Sequence, residues 1–465
     1  MGVAIRSPEL LVELDRGARG RLSAQLERRL RESIRDGRLV AGTRLPSTRA
    51  LACELGVARG TVVAAYQQLA AEGYLALRRG AAPRVAHAVA PVPAGSNGAS
   101  RRAPAPRWDL RPDVADYAAF PRREWLTSLR GALGTALDSD LGYGDAHGAA
   151  ALRDALAAYL GRSRGVAATP ERMVTGVGFT HVLSLVCAAL RRRGVRCVGV
   201  EDPGHPALHR IVAHAGMELV PLPVDESGVV VDAVRAADPE SVLVTPAHQF
   251  PTAAVLAPER RAELLAWAAR NDRLVLEDDV DAEFRYDVPP VGALQGLAPE
   301  RVAYLGSVSR TLAPALRMGW GVLPSWLADD VVAEVHGTFL APPRLDQLAL
   351  AAFLERGELD RHLRRMRLRY RRRRDALLAA LAATLPAVET AGAAAGLHVV
   401  ARLPEGADEA AVVEAARSRR IALSSLGEHR LVAGGPPALL LGFARTSEAG
   451  LRAAIRELAE ALAQA

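Results

Sequence analysis

A phosphate-binding turn is indicated by the stretch GSVSRTLAPALRMGW, which begins at residue 306. A short apolar run at residues 302–305 precedes it, and a helix-like segment follows. Backbone N–H groups and the hydroxyls of Ser307 and Ser309 at such a junction are suited to holding a phosphate. Where a reactive amine would complete a site for an aldehyde cofactor, the residue is Arg310.

The sequence contains no lysine, because all 59 residues counted as Lys or Arg are arginine. A guanidinium stays protonated and is a very poor nucleophile. No side chain of this sequence can therefore form a Schiff base with an aldehyde. Codon bias in a GC-rich genome is an alternative explanation for the arginines, but it does not restore the amine.

A second group of phosphate ligands is indicated at the start of a helix-like segment, GFTHVLSLVCAAL. Gly178, Phe179 and Thr180 open this segment and would offer backbone N–H groups at a helix N-terminus. Arg317 follows the two serines and would add a guanidinium, which binds phosphate through charge-assisted hydrogen bonds. These residues together predict one anion site.

Three further side chains could contact an aromatic ring. Asp278, in LEDDVDAEF, could pair with a protonated pyridine nitrogen, although a solvated acidic loop is the alternative. His205, in EDPGH, and His248, in TPAHQFP, could stack on the ring or hydrogen-bond to it. A core histidine is the alternative for both. Neither is paired with a cysteine or a spaced carboxylate, so no metal site is predicted.

The elements around these residues alternate between helix and strand. Strand-like runs are expected at residues 197–200, 241–245, 274–276 and 302–305, separated by helix-length segments such as APERRAELLAWAARN. This alternation predicts a mostly parallel sheet covered by helices. Ligands of such sheets bind at the carboxyl ends of the strands, where the candidate residues occur.

The N-terminal part has a different pattern. Leucines and an isoleucine recur every four residues from Leu22 to Ile34, and PSTRALACELG follows with Ser47 as a helix cap and Gly56 as a stop. A third helix is expected from about Arg59, and a hairpin with a basic turn comes after it. Helix, helix-turn-helix and hairpin form a winged helix-turn-helix plan.

DNA contacts are expected at the start of the recognition helix and in the wing. Arg59 is suited to guanine, Thr61 to a phosphate or a thymine methyl, and Arg49 to the DNA backbone. Gly60 and Gly80, the latter in the basic turn with Arg78 and Arg79, are added to this set. The alternative is that any three-helix unit of an arginine-only protein has basic helix starts; the combined helix-turn-helix spacing, wing and linker favour DNA binding.

Length and composition indicate two domains in this chain of 465 residues, half of them apolar. The stretch HAVAPVPAGSNGASRRAPAP is typical of a mobile linker. We expect a DNA-binding domain at residues 16–86, a flexible linker at 87–107 and a larger domain at 108–465. The formal charge of +7 is compatible with an acidic partner but is weak support for nucleic acid by itself.

The compartment is predicted from cysteines and hydropathy. The three cysteines have no CxxC spacing, which indicates a reducing compartment. The sequence shows no signal-like segment and no uninterrupted apolar run of about 18 residues or more. A soluble cytoplasmic protein is therefore expected.

These motifs carry a resemblance to a known family. Residues 20–85 resemble the GntR-type winged-helix domain through GTRLPSTRALACELGVARGTVVAAYQQLAAEGYL. The remainder resembles fold type I aminotransferases through YGDAHGAAALRDAL, VEDPGH, TPAHQFPT, EDDVDAEF and GSVSRTLAPALRMGW. The order of the motifs is similar to that of MocR/GabR-type regulators.

This resemblance implies a fold and an assembly. The implied fold is a small winged helix-turn-helix domain joined to an α/β aminotransferase-like domain. That domain would have a mostly parallel central sheet with helices on both faces and a smaller C-terminal subdomain. The implied assembly is a homodimer on double-stranded DNA, in which each DNA-binding domain can cross to the partner.

The resemblance also implies the cofactor site. Pyridoxal phosphate or pyridoxamine phosphate would be the cofactor, and Arg445 in GFAR matches the arginine that binds a substrate carboxylate in that family. The lysine that bonds the cofactor falls on Arg310, and a tyrosine that supports it falls on Val280. Any cofactor would then be held noncovalently.

Three functions follow from these features. The first is a transcriptional regulator whose aminotransferase-like domain dimerises and senses a small effector, without efficient transamination. The second is a pyridoxal-phosphate-dependent aminotransferase fused to a DNA-binding domain, which the absence of lysine argues against. The third is a DNA-binding protein whose large domain serves only for dimerisation.

Overall fold

The chain separates into two units, residues 1–104 and residues 105–465. The computed structural model describes residues 14–15, 21–78, 80–86, 105–338, 340–392 and 394–463. Most of the predicted linker, 87–107, and Arg79 of the predicted wing turn lie outside the described residues. The predicted domain limits at residues 86 and 108 therefore stay predictions.

The smaller unit has three helices followed by a two-stranded antiparallel hairpin. Its elements are α1 (Leu22–Arg35), α2 (Thr48–Glu54), α3 (Arg59–Ala71), β1 (Leu75–Ala76) and β2 (Arg84–Val85). The Ser47 hydroxyl caps α2 by accepting a bond from the backbone N–H of Ala50 at 3.1 Å. Gly56 follows this helix in the left-handed region, with φ of +60°. The predicted winged helix-turn-helix fold is confirmed.

One apolar cluster holds the smaller unit together. It joins α1, α2, α3 and both strands through buried side chains that include Leu26, Leu30, Leu51, Val62, Tyr66, Leu69 and Val85. The buried face of α1 is the leucine stripe that the four-residue spacing predicts. The Tyr66 hydroxyl of α3 donates a hydrogen bond to the carbonyl of Pro46 at 3.1 Å, which ties α3 to the segment before α2.

The larger unit alternates helices and strands. Its helices are α4 (Arg122–Thr135), α5 (Ala150–Arg164), α6 (Phe179–Arg192), α7 (Pro206–His214), α8 (Val231–Ala237), α9 (Pro258–Arg270), α10 (Ser325–Thr338), α11 (Arg344–Glu355), α12 (Glu358–Thr384), α13 (Glu409–Ser418) and α14 (Glu448–Leu462). Its strands are β3 (Trp108–Asp109), β4 (Met173–Gly176), β5 (Cys197–Asp202), β6 (Glu218–Asp225), β7 (Gly228–Val229), β8 (Ser241–Val244), β9 (Leu274–Asp278), β10 (Val302–Ser307), β11 (Gly319–Val322), β12 (Glu389–Ala391), β13 (His398–Arg402), β14 (Ile421–Ala422), β15 (Ser424–Ser425) and β16 (Ala438–Gly442).

The central sheet of the larger unit has eight strands in the order β4-β11-β10-β9-β8-β5-β6-β7. The pairs from β10 through β9, β8 and β5 to β6 are parallel. Strand β11 is antiparallel to both β10 and β4, so β4 runs in the direction of the parallel strands. The carboxyl ends of β4, β5, β8, β9 and β10 therefore meet at one edge of the sheet. The predicted strand segments at residues 197–200, 274–276 and 302–305 lie in β5, β9 and β10, and the segment at 241–245 covers β8 and extends one residue beyond it.

A smaller C-terminal sheet completes the larger unit. Strands β12, β13, β16 and β15 form an antiparallel sheet, and the short β14 pairs with β3 in parallel. Helix α14 buries Leu451, Ile455 and Leu458 in the apolar cluster that also contains residues of β13 and β16. The predicted C-terminal subdomain is confirmed.

None of the described helices is long and apolar enough to cross a membrane. The three cysteines are free thiols: Cys53 is exposed, Cys187 is buried and Cys197 is half-buried.

Candidate functional site

A cavity of about 180 Å³ lies at the edge of the central sheet where β9 and β10 end and α6 begins. The fold brings seven of the predicted site residues to its wall, namely Phe179, Thr180, His205, Asp278, Ser307, Ser309 and Arg310. Ligands of open α/β sheets bind at this edge. The cavity is therefore the candidate binding site of the larger unit.

The start of α6 supplies the first phosphate ligands. Gly178 caps the helix with φ of +87°, a conformation that glycine adopts without strain. The Arg317 guanidinium lies beside it and donates a hydrogen bond to the carbonyl of Val177 at 2.9 Å. Gly319 packs against this turn so closely that a Cβ atom there would lie 2.7 Å from the backbone nitrogen of Phe179. Glycine and arginine thus shape a helix N-terminus that is suited to an anion.

The end of β10 supplies the second group of phosphate ligands. Ser307 is the last residue of this strand, and its hydroxyl accepts a bond from the backbone N–H of Ser309 at 3.3 Å. Both serines line the cavity, as does Thr180 in the first turn of α6. Hydroxyls from two elements therefore face one space.

Asp278 is the last residue of β9, and only 6% of it is exposed. Its carboxylate accepts a hydrogen bond from the backbone N–H of Val280 at 3.1 Å and lines the cavity. Burial, followed by the neighbouring charge of Asp279, raises the pKa of Asp278 well above its usual range. A cationic group in the cavity would favour the ionised form of this side chain.

The acidic run around Asp278 is buried, so the alternative of a solvated loop is wrong. Glu277 accepts two backbone N–H bonds, from the residues at 294 and 295. Asp279 forms a buried ion pair with Arg164 at 2.7 Å and also accepts the hydroxyl of Tyr304 at 2.6 Å. Glu277 and Asp279 are therefore paired within the protein, whereas Asp278 lines the cavity with a single backbone N–H bond to its carboxylate.

His205 lines the cavity next to a second buried acid. Its Nδ1 atom accepts the backbone N–H of Ala207 at 3.2 Å. Burial, followed by the charge of Arg310, lowers the pKa of His205 to about 4. Glu201, from the end of β5, accepts bonds from the backbone N–H of Thr245 and from Gln249, and burial raises its pKa to about 7. Both side chains are therefore held in a neutral form over much of the acidic range.

Arg310 lies in the cavity wall with Val280 and Asp281. Its Nη1 atom donates a long hydrogen bond of 3.3 Å to the carbonyl of Pro112, and its Nε atom lies 3.7 Å from an Asp281 oxygen. Val280 carries no polar side-chain group. We call Val280, Asp281 and Arg310 the Arg310 group, and we call Thr180, Asp278, Ser307, Ser309 and Arg317 the anchoring residues.

His248 does not belong to the cavity wall. It is 1% exposed and lies behind the site, with its ring 5.7 Å from that of His398 between centroids. Gly396 covers the ring, because a Cβ atom there would lie 1.9 Å from Nε2 of His248. The prediction of a cofactor contact is not supported by this placement, since the chain after β8 turns the side chain into the core.

Arg445 also lies outside the lining of this cavity. Its Nη1 atom forms an ion pair with Asp109 at 2.7 Å, and its side chain is 49% exposed. Asp109 binds Arg111 as well, at 2.7 Å. The role of Arg445 in binding an effector carboxylate stays a prediction.

The predicted DNA contacts lie in α2, in the first turn of α3 and in the turn between β1 and β2. Arg59 is the first residue of α3, and Gly60 and Thr61 complete its first turn. Arg59, Gly60 and Arg49 of α2 are exposed. Gly80 lies between β1 and β2 with φ of +78°. Their contacts with bases and phosphates stay predictions.

Sequence reasoning missed Asp279, Asp281, Glu283 and Thr311 as cavity residues. Asp279, Asp281 and Glu283 all come within five positions after Asp278, the last residue of β9, and the strand end was the available signal. Thr311 directly follows Arg310. A reading of every polar residue within a few positions of each strand end would have found all four.

The donor set of this cavity fits a phosphorylated pyridine. Helix N–H groups and three hydroxyls of the cavity wall suit a phosphate dianion. The exposed Arg317 guanidinium lies outside this lining, beside Gly178 at the start of α6, where it suits the same anion. Asp278 is a buried acid facing the cavity, which suits a protonated ring nitrogen. The cavity wall offers no primary amine, because the chain contains no lysine.

Two family matches divide the chain. Residues 22–85 match the gntR family of bacterial regulatory proteins. Residues 125–461 match the family described as aminotransferase class I and II.

Individual relatives match the chain over nearly its whole length. It is 34% identical over 445 residues to PdxR, a pyridoxine biosynthesis transcriptional regulator of Corynebacterium glutamicum, with 95% of this chain and 96% of that protein covered. It is also 34% identical to the probable rhizopine catabolism regulatory protein MocR of Rhizobium meliloti, covering 97% of this chain and 96% of that protein.

A solved structure matches the larger part of the fold. LysN, an alpha-aminoadipate aminotransferase of Thermus thermophilus complexed with N-(5'-phosphopyridoxyl)-L-leucine, aligns with a TM-score of 0.69 at 25% identity. The alignment covers 77% of this chain and 92% of that chain.

Proposed function

We propose that this chain, which belongs to the family of gntR-type transcriptional regulators with a class I and II aminotransferase domain, senses a small molecule in the cavity of its larger unit. As a member of this family it is a DNA-binding transcriptional regulator. The proposed effector is pyridoxal phosphate, pyridoxamine phosphate or an amino-acid-related ligand, held noncovalently. We also propose a cytoplasmic location, where such a regulator would meet DNA.

One observation carries this proposal: the anchoring residues suit a phosphorylated ring, and the chain has no lysine amine that could bond to it. Helix α6, the hydroxyls at the end of β10 and Arg317 would hold the phosphate. The ionised carboxylate of Asp278 would accept a hydrogen bond from the protonated ring nitrogen, and this pairing would offset the cost of burying its charge. Bound pyridoxal phosphate supplies an aldehyde on an electron-withdrawing ring, and the chain has no lysine to condense with it.

Arg310 is proposed to occupy the position of the lysine that bonds the cofactor in aminotransferases. A guanidinium stays protonated at neutral pH, so it neither attacks an aldehyde nor carries protons between two carbon atoms. Loss of such a proton-transfer group costs several orders of magnitude in rate. We therefore propose that the chain binds its ligand without efficient transamination and is not an enzyme.

Sensing requires that the ligand favours one of two arrangements of the chain. A ligand shifts such an equilibrium only as far as its affinities for the two arrangements differ. Arg445 is proposed to contribute this difference for ligands with a carboxylate, by exchanging its partner Asp109 for the ligand. This exchange needs binding and no chemical step.

A homodimer on double-stranded DNA is part of the proposal. The segment from Leu133 to Tyr143 exposes several large apolar side chains, including Leu137 and Leu141. Exposed apolar groups at such close spacing mark interaction surfaces. The DNA-binding domains are proposed to bind two half-sites, either directly or after crossing to the partner.

The experiment uses the full-length chain and a duplex selected from a random DNA library. Fluorescence anisotropy would give the affinity for this duplex with and without saturating pyridoxal phosphate or pyridoxamine phosphate. Arg59→Ala is expected to weaken DNA binding by about 1–3 kcal/mol and to relax specificity at one base position. An unchanged affinity and footprint would remove Arg59 from the DNA contacts.

Asp278→Ala is the second arm of this experiment. It is expected to leave DNA affinity unchanged without ligand and to remove the effect of the ligand on it. If saturating ligand leaves the DNA affinity of the unmodified chain unchanged, these two compounds are not effectors. A DNA affinity that responds to ligand equally in the Asp278→Ala chain would place the sensor elsewhere.

A further inference from the structure

Three buried side chains meet behind the cavity: His248, Asp281 and His398. Their ligand atoms lie within 4.8 Å of one another. His248 and Asp281 are 1% exposed and His398 is fully buried. They come from three separate places in the larger unit, namely the segment after β8, the segment after β9 and the start of β13. Only the folded chain brings them together.

The polar atoms of this cluster lack partners. Both ring nitrogens of His248, both carboxylate oxygens of Asp281 and Nδ1 of His398 have no hydrogen-bond partner among the described residues. A buried polar group without a partner is costly because it has given up its bonds to water, and most such groups in folded proteins are paired. Several of them converging on one point indicate a ligand that satisfies them together.

The remaining nitrogen of His398 has a partner that orients the ring. Nε2 lies 2.9 Å from the carbonyl oxygen of Pro251, so it carries the proton and donates. The lone pair is then on Nδ1, which is one of the unpartnered atoms. A hydrogen bond from the other ring nitrogen to a carbonyl is the usual support for a histidine that binds a metal.

Arg310 does not satisfy Asp281. Its Nε atom is 3.7 Å from the nearest Asp281 oxygen, which is too long for a hydrogen bond. Its Nη1 atom is directed to the carbonyl of Pro112 instead. Both Asp281 oxygens therefore remain available to another partner.

We propose that His248, Asp281 and His398 bind a divalent first-row transition metal ion. Two imidazoles and one carboxylate are a recurrent ligand set for Zn²⁺ and Fe²⁺, and this set leaves coordination positions open. Ligand atoms about 2.1 Å from an ion can be up to about 4 Å apart, so small side-chain rotations complete the site. Because Asp281 also lines the cavity, the ion would lie beside the proposed effector site.

The test is a titration of chelator-treated, full-length chain with cobalt(II), followed by visible absorption and by calorimetry. One cobalt ion per chain is expected to bind, with the ligand-field absorption of a site of low coordination number. Asp281→Asn keeps the shape of the side chain and removes its charge. This variant is expected to weaken cobalt binding at least about 100-fold, the upper end of what loss of an outer-shell partner costs.

His398→Gln is a second ligand variant, and His429→Gln is the matched control. The ring of His429 is also unpartnered among the described residues, but this residue is not part of the cluster. Cobalt binding is expected to fall in His398→Gln and to stay within about threefold of the unmodified chain in His429→Gln. His429 contacts the same ring, Phe250, as His398, but it is not among the three side chains whose ligand atoms converge. Circular dichroism would show that each variant is folded.

The proposal is overturned if the unmodified chain binds no cobalt in the ligand-field assay, or if Asp281→Asn binds it as tightly as the unmodified chain does. An equal loss in His429→Gln would also overturn it, because binding would then not depend on the cluster. No pyridoxal compound is present in this titration. Failure of the metal site is thus separate from failure of the proposed effector site.

Discussion

The two parts of the cavity differ in what their side chains can do. The anchoring residues bring hydroxyls, helix N–H groups and a buried acid to the cavity wall, and Arg317 adds a guanidinium beside the start of α6. The Arg310 group has an apolar side chain, an unpartnered carboxylate and a guanidinium. Binding chemistry is therefore present where the reactive amine is missing. This difference predicts that the cavity binds a phosphorylated ring although the chain offers no side-chain amine to react with it.

Among the substitutions that test this comparison, Asp278→Ala is expected to have the largest effect, which is on the affinity for pyridoxal phosphate. Removing the buried acid should weaken binding of pyridoxal phosphate by at least about 100-fold, since hydrogen bonds to charged groups contribute up to about 3 kcal/mol. The increase in melting temperature on addition of ligand would disappear with it. Differential scanning fluorimetry measures this, with the exposed Asp329→Ala of α10 as the control. An unaltered shift in Asp278→Ala would mean that the ring binds elsewhere.

Glu201→Gln tests whether the buried acid near Asp278 makes the free energy of unfolding depend on pH. Burial raises the folded-state pKa of Glu201 from 4.5 to about 7. Its contribution to the free energy of unfolding is therefore fully present below pH 4.5 and is lost as the pH rises through 7. Between about pH 5 and about pH 8 this amounts to about 2.5 kcal/mol of the free energy of unfolding.

Urea unfolding at the two pH values is the measurement for this variant. Glu201→Gln should reduce the loss of stability at the higher pH by about 2.5 kcal/mol, while the exposed Glu218→Gln at the start of β6 should leave that loss unchanged. The same pH dependence in Glu201→Gln as in the unmodified chain would show that Glu201 is not a neutral buried acid.

Arg317→Gln should weaken binding of pyridoxal phosphate and of pyridoxamine phosphate by about 30-fold, or about 2 kcal/mol, because both lose a charge-assisted contact to phosphate. Pyridoxal, which has no phosphate, should bind with unchanged affinity. Calorimetry on the three compounds separates these cases, and the exposed Arg270→Gln of α9 is the control arginine. An equal loss for pyridoxal would assign Arg317 a structural role instead.

Arg310→Lys adds an amine to the Arg310 group and so tests whether this position faces the aldehyde of a bound ligand. Pyridoxal phosphate should then bind about 10-fold more tightly, a gain of about 1.4 kcal/mol. Pyridoxamine phosphate, which has no aldehyde, should keep its affinity. Borohydride reduction followed by intact mass measurement reports the covalent product. If both compounds change equally, Arg310 does not face the aldehyde position.

Patterns among neighbouring residues in the sequence were enough to predict much of the fold and most of the anchoring residues. The four-residue spacing in α1, the cap at Ser47 and the apolar runs of β5, β8, β9 and β10 are properties of neighbouring residues. Ser307 and Ser309 could be placed because they directly follow a strand, and the sheet rule puts strand ends together. Proximity along the chain was enough for these predictions.

Other features depend on contacts between distant segments. His248 was predicted at the ring, but Gly396 and His398, far along the chain, enclose it in the core. The acidic run is buried because Arg164, from α5, pairs with Asp279. The cluster of His248, Asp281 and His398 has no short-range spacing, so the sequence predicted no metal site. Such features need the tertiary fold.

The most direct test of the central claim is calorimetric titration of the unmodified chain with pyridoxal phosphate and, separately, with pyridoxamine phosphate. The complex with pyridoxal phosphate would then be treated with borohydride and denatured. We expect binding of both compounds with affinities within about 10-fold of each other, or about 1.4 kcal/mol, and full release of the ligand on denaturation. Absence of binding by both compounds, or retention of the reduced ligand at the cavity, would contradict the claim.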